Sequence, residues 1–434
     1  MKPLLSYELK KILKRPFTLV VCFACIGICV LIGISSAMEQ MAYAWGPDVY
    51  GSYEAIPENE LARAQNTFGL VGPADGALVF HGPDAIRIDK ENTKPFEGVW
   101  DSERLAAMAS EYLAYKNDPS LYTDELDMDA IIMREWTLGE EMDGQSAAQY
   151  SAENPIYKMK PEFEYGKWQE WQTVEYLLDD IVLNADGDAK SFEEAFPLVE
   201  EPAVYEYHQG PLTATQAQGI FVGMLALLML VAGLSPVFSD EVACRTEPML
   251  LAAKYGRDKL VRAKLLSGLL FALGALAVLT LINVLLCGAF YGFGGYNMPV
   301  QLEPVNYSVP FAFTYGEYML ALIGMQALGL TAMAALVLLL STLFRSAIPV
   351  IFTTGVFSFV VMLLSNAEAA VPVYISQTLP PGAAMPTALL YEGLTPGWGA
   401  LAVPQWALAV LISAAALVLS ILAVLRKYRR VSRV

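Results

Sequence analysis

Six stretches of this chain run for a bilayer's thickness or nearly so without a charged residue: 17–36, 219–238, 265–290, 318–344, 347–364 and 406–425. A helix of roughly 20 apolar residues crosses the hydrocarbon core, so each stretch is expected to be a membrane span. Only Arg345 and Ser346 separate the fourth from the fifth, which predicts a tight helical hairpin. A buried core helix also gives a long apolar run, but six in one chain are not what a soluble core needs. The first stretch follows Lys10, Lys11, Lys14 and Arg15, as a cleaved signal would. Its apolar run is longer than an h-region of about 7–15 residues, and it reads as a retained span.

Between the spans lie segments of very different size. Residues 1–36 hold an amphipathic leading segment and the first span. Residues 37–218 form one long insertion, enough chain for a folded domain. Residues 219–434 carry the remaining five spans, with a polar segment at 239–264. Within the insertion, Leu105, Met108, Ala109, Tyr112 and Leu113 recur at helical spacing after Asp101-Ser102, a helix-start pattern. Trp168, Trp171, Val174, Leu178, Ile181 and Val182 trace a second apolar face, and short strands are weakly signalled in 69–88. The expected fold class is an all-α polytopic membrane protein, six transmembrane helices with a large, mainly helical extracytoplasmic domain between the first and second.

Composition agrees, with 55% hydrophobic and 17% charged residues against about 25% charged in soluble domains. The net charge of −17 excludes nucleic acid as a partner. That charge is segregated. With both termini inside, the inner segments hold 17 Lys and Arg against 5 Asp and Glu, and the outer ones 11 against 40. The outer segments 291–317 and 365–405 contain no Lys or Arg. Lys and Arg stay on the cytoplasmic side, which predicts cytoplasmic N- and C-termini and an extracellular 37–218 carrying 36 acidic and 11 basic residues.

Little in the chain suggests bond-making chemistry. None of the five cysteines (Cys22, Cys25, Cys29, Cys244, Cys287) lies in the insertion, which must therefore be held by packing. Cys22, Cys25 and Cys29 share a helix face, where helix-contact filler is the better account than a metal site. The acidic runs 124–129 and 184–188 invite a calcium reading. Aligned on Gly187, however, the first EF-hand position falls on Val182, so a solvated acidic surface is preferred. His81 and His208 are far apart, and no metal-ligand pair or Gly-x-Ser-x-Gly elbow accompanies them. No catalytic, cofactor-binding or metal residue is assigned. The spans contain no ionisable residue of the kind ion-coupled carriers use. Asn283 and Gln326 read as interhelical hydrogen-bond partners. The chain also lacks a phosphate-binding loop. Active transport by this chain would have to draw its energy from another polypeptide, through a cytoplasmic surface.

Segment 239–264 is large enough to receive it. Ser239 and Asp240 are expected to cap a short helix whose start favours Glu241. Met249, Leu250 and Leu251 offer an apolar tip, Gly256 breaks the helix, and Asp258 caps the next, with Lys259, Arg262 and Lys264 near lipid headgroups. The segment resembles the coupling loop of type-2 ABC permeases, the membrane subunits of bacterial ATP-driven exporters. Those loops often carry an acidic residue, Gly-Thr, a Leu-Leu pair, Lys-Tyr-Gly-Arg and Lys-Leu-Val-x-Ala-Lys. Here these are Glu241, Thr246, Leu250-Leu251, Lys254-Tyr255-Gly256-Arg257 and 259–264, with Arg245 in place of the usual glycine. Leu5, Leu9, Ile12 and Leu13 form an apolar stripe opposite Lys10, Lys11 and Lys14, similar to that family's interfacial helix. A simple positive-inside anchor explains it equally well. The proline-rich 366–405 resembles the family's short re-entrant helices before the final span.

The resemblance covers 1–36 and 219–434. It implies a half-transporter in a bacterial plasma membrane, paired with an identical or homologous permease. Two cytoplasmic ATPases holding ATP and Mg would dock on Asp240, Glu241, Thr246, Glu247, Leu250, Leu251, Tyr255, Gly256 and Arg257. This chain itself would be no enzyme. The apolar spans suit an amphipathic substrate, and the acidic insertion makes a cationic antimicrobial peptide the working candidate, although a merely solubilising surface explains that charge more simply. The alternative is a membrane-anchored sensor or scaffold whose outer domain binds a ligand, for which one or two spans would suffice.

Overall fold

A computed structural model of the protein describes residues 2–40, 42–45, 77–80, 83–118, 122–126, 131–132, 135–136, 142, 144–153, 157–159, 171, 173–184, 188–252, 256, 258–365, 367, 370–386, 390, 397–398, 401–402 and 404–430. The chain divides into two compact units, Met1–Ala37 with Val204–Val434, and Met38–Ala203.

The first unit is a helical bundle. Six of its helices are long and apolar enough to cross a membrane: Pro16–Met38, Gln209–Ala243, Lys259–Tyr291, Tyr315–Leu343, Ala347–Ser365 and Gln405–Arg429. The protein is an all-α polytopic membrane protein. The second and fourth spans are its core, 72% and 61% buried where the others range from 17% to 33%. Leu225, Leu230 and Leu234 of the second span pack with Leu276 and Leu279 of the third, and with Leu330, Met333 and Leu338 of the fourth. Alternation of the spans gives the bundle two ends. One carries both termini and segment 244–258, and the other is where 38–203 is inserted.

The second span departs from the expected pattern at both ends. It begins at Gln209, ten residues before the expected apolar span 219–238, because the polar side chains of that turn find partners: Thr215 Oγ1 donates to the Pro211 and Leu212 carbonyls at 2.8 and 2.9 Å. It also runs on through Ala243, so Ser239, Asp240 and Glu241 lie inside a helix and cap nothing. The span is built in three pieces. A π-helical turn at Gln218–Val222 separates the first from the second, and Pro236 begins the third.

Before the sixth span, Ala370–Thr378 and Pro380–Ala383 form two short helices. The second is buried against Gly223 and Gly329, near the middle of the second and fourth spans. Neither position has room for a Cβ beside the Ala384 backbone, which is the close approach that glycine permits.

In the unit Met38–Ala203, Asp101 caps helix Ser102–Lys116 by accepting the Arg104 N–H at 2.8 Å, and Leu105, Met108, Ala109 and Tyr112 form its buried face. Trp171, Val174, Leu178, Ile181 and Val182 are also buried, through a π-helical turn at Leu177–Val182. Trp168 lies outside the described residues. Two antiparallel ladders pair Ala42–Trp45 with Ala77–Phe80 and Tyr122–Leu126 with Tyr157–Met159. Within run 184–188, Asn184 Oδ1 accepts the Asp188 N–H at 2.8 Å, using an oxygen that a cation would need. Among the described residues no cluster of three or more His, Cys, Asp or Glu could hold a metal ion.

Candidate functional site

The second span stops at the termini end in a Schellman turn. Arg245 N–H donates to Val242 O at 3.1 Å and Thr246 N–H to Glu241 O at 2.9 Å, the paired bonds that satisfy a helix's last carbonyls. The geometry requires a left-handed residue, and Arg245 supplies it with φ 55°. A side chain there costs roughly 1–2 kcal/mol, so the glycine usual at this place in the resembled loops has a backbone reason. Thr246 then leads into helix Glu247–Ala252. Met249 points outward, 78% exposed, and Leu250 is half-buried. The side chain of Leu251, and residues 253–255 and 257 with Tyr255 and Arg257, lie outside the description; Gly256 is buried. Asp258 occupies the N-cap of the third span without a capping bond, its carboxylate pairing instead with Arg262 at 3.0 Å.

Above this turn sits a buried ion cluster. The Lys264 ammonium, 1% exposed, lies 2.5 Å from Glu241 Oε1 and 3.5 Å from Glu8 Oε2, donates to the Val237 carbonyl at 3.1 Å and faces the Phe238 ring. Lys264 therefore turns into the bundle, whereas the sequence reading pointed it out toward lipid headgroups. Lys11 reaches the same Glu241 oxygen at 3.1 Å, and Arg15 bonds Asp240 at 3.2 Å and the Pro236 carbonyl at 3.1 Å. Burial pushes the Arg15 guanidinium below its usual range, opposed by Asp240, Glu8 and Glu241. Three cations thus meet three carboxylates, drawn from the leading helix Lys2–Leu13, the turn that joins it to the first span (Arg15), the second span and the third. Of the residues read from sequence as docking residues, Glu241 is engaged at the buried centre of this cluster and Asp240 at its exposed rim, paired with Arg15. Of the interfacial stripe, Ile12 is buried in the bundle core, Leu9 packs against it, Leu5 is half-buried and Leu13 is 43% exposed. The buried Glu8 had no signal in sequence, because its partner Lys264 lies 256 residues away.

Both breaks in the second span are bridged by the fourth. Pro236 cannot donate a hydrogen bond and crowds the preceding turn. There Ser341 Oγ accepts the Phe238 and Ser239 N–H groups at 3.0 and 3.1 Å and donates to Ser235 O at 2.6 Å. At the π turn, Gln326 Nε2 donates to Gln218 O at 2.5 Å, and Gln218 Nε2 donates to Gln326 Oε1 at 2.7 Å and Thr280 Oγ1 at 2.8 Å. Asn283 Nδ2 adds a bond to Ala214 O at 2.8 Å. Asn283 and Gln326 thus serve as the interhelical partners their isolation in apolar helices suggests. The sixth span joins the same assembly, as the Tyr428 ring lies tilted against Phe238 at 5.5 Å and its neighbour Lys427 donates to Thr342 O.

At the insertion end, His208 Nδ1 lies 2.9 Å from Glu206 O and Nε2 lies 2.6 Å from Glu303 Oε2, with the ring against Tyr315. This joins the start of the second span to segment 291–317. His81 lies outside the described residues. No protein-family model, curated protein or solved structure matches the chain.

Proposed function

We propose that this chain is the permease subunit of an ATP-binding-cassette exporter, and that segment 244–258 receives a cytoplasmic ATPase. The observation that carries this reading is the mounting of the segment. A short helix with an exposed Met249 tip hangs from a second span that is ion-paired to two other helices and bridged to a fourth. A passive connector needs no such mounting, whereas a force-bearing one must not yield at its root. Displacement of the Glu247–Ala252 helix would pull on the second span, whose π turn and proline break are the places able to absorb a bend. The permease then needs no catalytic group or nucleotide pocket of its own. ATP and Mg belong to the ATPase, and a second permease, identical or homologous, completes the pathway. The membrane is a bacterial plasma membrane with both termini cytoplasmic, and the cargo an amphipathic molecule, with a cationic peptide as first candidate.

The test is co-purification with an ATP-binding-cassette ATPase from the same genome, co-expressed with this chain. Met249→Asp changes an exposed tip and is expected to lose the complex while elution volume and unfolding temperature stay as in wild type. Cys244, the exposed cysteine among the five, offers an independent readout, since a docked ATPase should protect it from a thiol reagent. A Met249→Asp variant that retains the complex, with Cys244 equally reactive in its presence and absence, would overturn the docking role.

A further inference from the structure

Toward the insertion end, the fourth and sixth spans part around a groove of 420 Å³. Ala321, Gly324, Met325 and Leu328 form one wall, a spacing that lines one helix face over about 10 Å. Trp406 and Val410, one turn apart, form the other, and every lining residue is apolar. Gly324 deepens the groove, because a carbon added there would meet no atom within 4 Å. Gly329, by contrast, is pressed against the backbone of Pro380 and Ala384.

The mouth is aromatic. Phe311 stacks on Phe313 at 5.2 Å and meets Trp406 edge-on at 6.5 Å. These rings stand beside the start of the fourth span, where Thr314 and Glu317 close a capping box. Polar caps and aromatic rings together mark the membrane–water boundary. The groove is continuous with the surface the bundle turns to lipid, since Leu320 and Leu411, adjacent in sequence to lining residues, are 69% and 63% exposed.

We infer that this groove binds one acyl chain of a bilayer phospholipid, with the headgroup level with Trp406. A ligand with a polar body would give up its hydrogen bonds to water and find none in return. A hydrocarbon chain loses nothing, and the adjoining lipid surface supplies it. The inference rests on the six helices being membrane spans and is independent of ATPase docking, so either reading can fail alone.

The test uses the full chain in nanodiscs containing phosphatidylcholine with a photoactivatable diazirine in one acyl chain. After illumination, adducts are mapped by mass spectrometry. They are expected to concentrate on 321–328 and 406–410 over the exposed face of 347–363. Gly324→Leu, which fills the groove, should lower them about tenfold. Gly324→Ala should give a smaller loss in the same direction, which keeps the comparison decisive where leucine disturbs the fold. Adduct density no higher than on the fifth span, adducts indifferent to both variants, or cross-links from 321–328 to a second copy of the chain would each overturn the inference.

Discussion

Lys264 shows how much a single side chain can hide in a hydropathy pattern. Placed one residue before a charge-free run, it reads as a headgroup anchor, yet it is 1% exposed between Glu8 and Glu241. Removing one member of a buried cluster strands the others. Lys264→Met is therefore expected to destabilise the bundle by about 3–5 kcal/mol, seen as a lower unfolding temperature in detergent. Adding Glu241→Gln to that variant should recover part of the loss. Arg245 predicts the opposite sign. Arg245→Gly relieves the left-handed strain and should raise stability by about 0.5–1 kcal/mol, after the entropy glycine adds to the unfolded chain. Tyr112, in the inserted unit, gives a pH signature. Its hydroxyl donates toward Glu175 and Asp179 at 3.1 and 2.9 Å, and burial, then those two carboxylates, hold its pKa well above the usual 10. The unfolded tyrosine ionises first, so this stability is intact below pH about 10 and is shed as pH rises beyond it. Tyr112→Phe should flatten that alkaline loss in a denaturation series followed by circular dichroism.

Among the elements, the second span carries the most information beyond its sequence. Its apolar middle is legible as a run without charge, but Gln209–Gln218 is assigned from sequence to the insertion 37–218, because its Gln and Thr side chains break the apolar run. The reading fails because those groups are satisfied by helices far along the chain, Gln218 by Thr280 and Gln326. Ser239-Asp240 fails as a cap for a similar reason, since the helix already in progress continues through them. Helix Ser102–Lys116, whose cap and buried face are all local, is legible in full. Ser341 is expected to hold the proline break together. Ser341→Ala leaves the N–H groups of Phe238 and Ser239 unpaired and should cost about 1–3 kcal/mol, with faster hydrogen exchange confined to 235–239. Unchanged exchange there would show that the break needs no bridge.

At the scale of the whole molecule, six apolar helices fix the class of protein, and the distribution of Lys and Arg proposes its orientation. Cys244 tests that orientation without any engineered residue, being exposed while Cys25, Cys29 and Cys287 are buried. An impermeant maleimide should label it in inside-out vesicles and leave it untouched in intact cells. Labelling in intact cells would reverse the topology and remove segment 244–258 from an ATPase's reach. What the sequence could not reveal at this scale is which helices lie inside. All six are comparably apolar, and only their packing distinguishes the second and fourth.

The short helix Pro380–Ala383 then acquires a mechanical meaning. It is wedged where the two innermost helices each lack a side chain, with its own backbone filling both vacancies. The bundle is shut at that depth by main chain, a keystone that thermal motion of neighbouring side chains cannot clear. In the export reading proposed above, a cargo crossing between these two helices would have to displace backbone and not side chains alone.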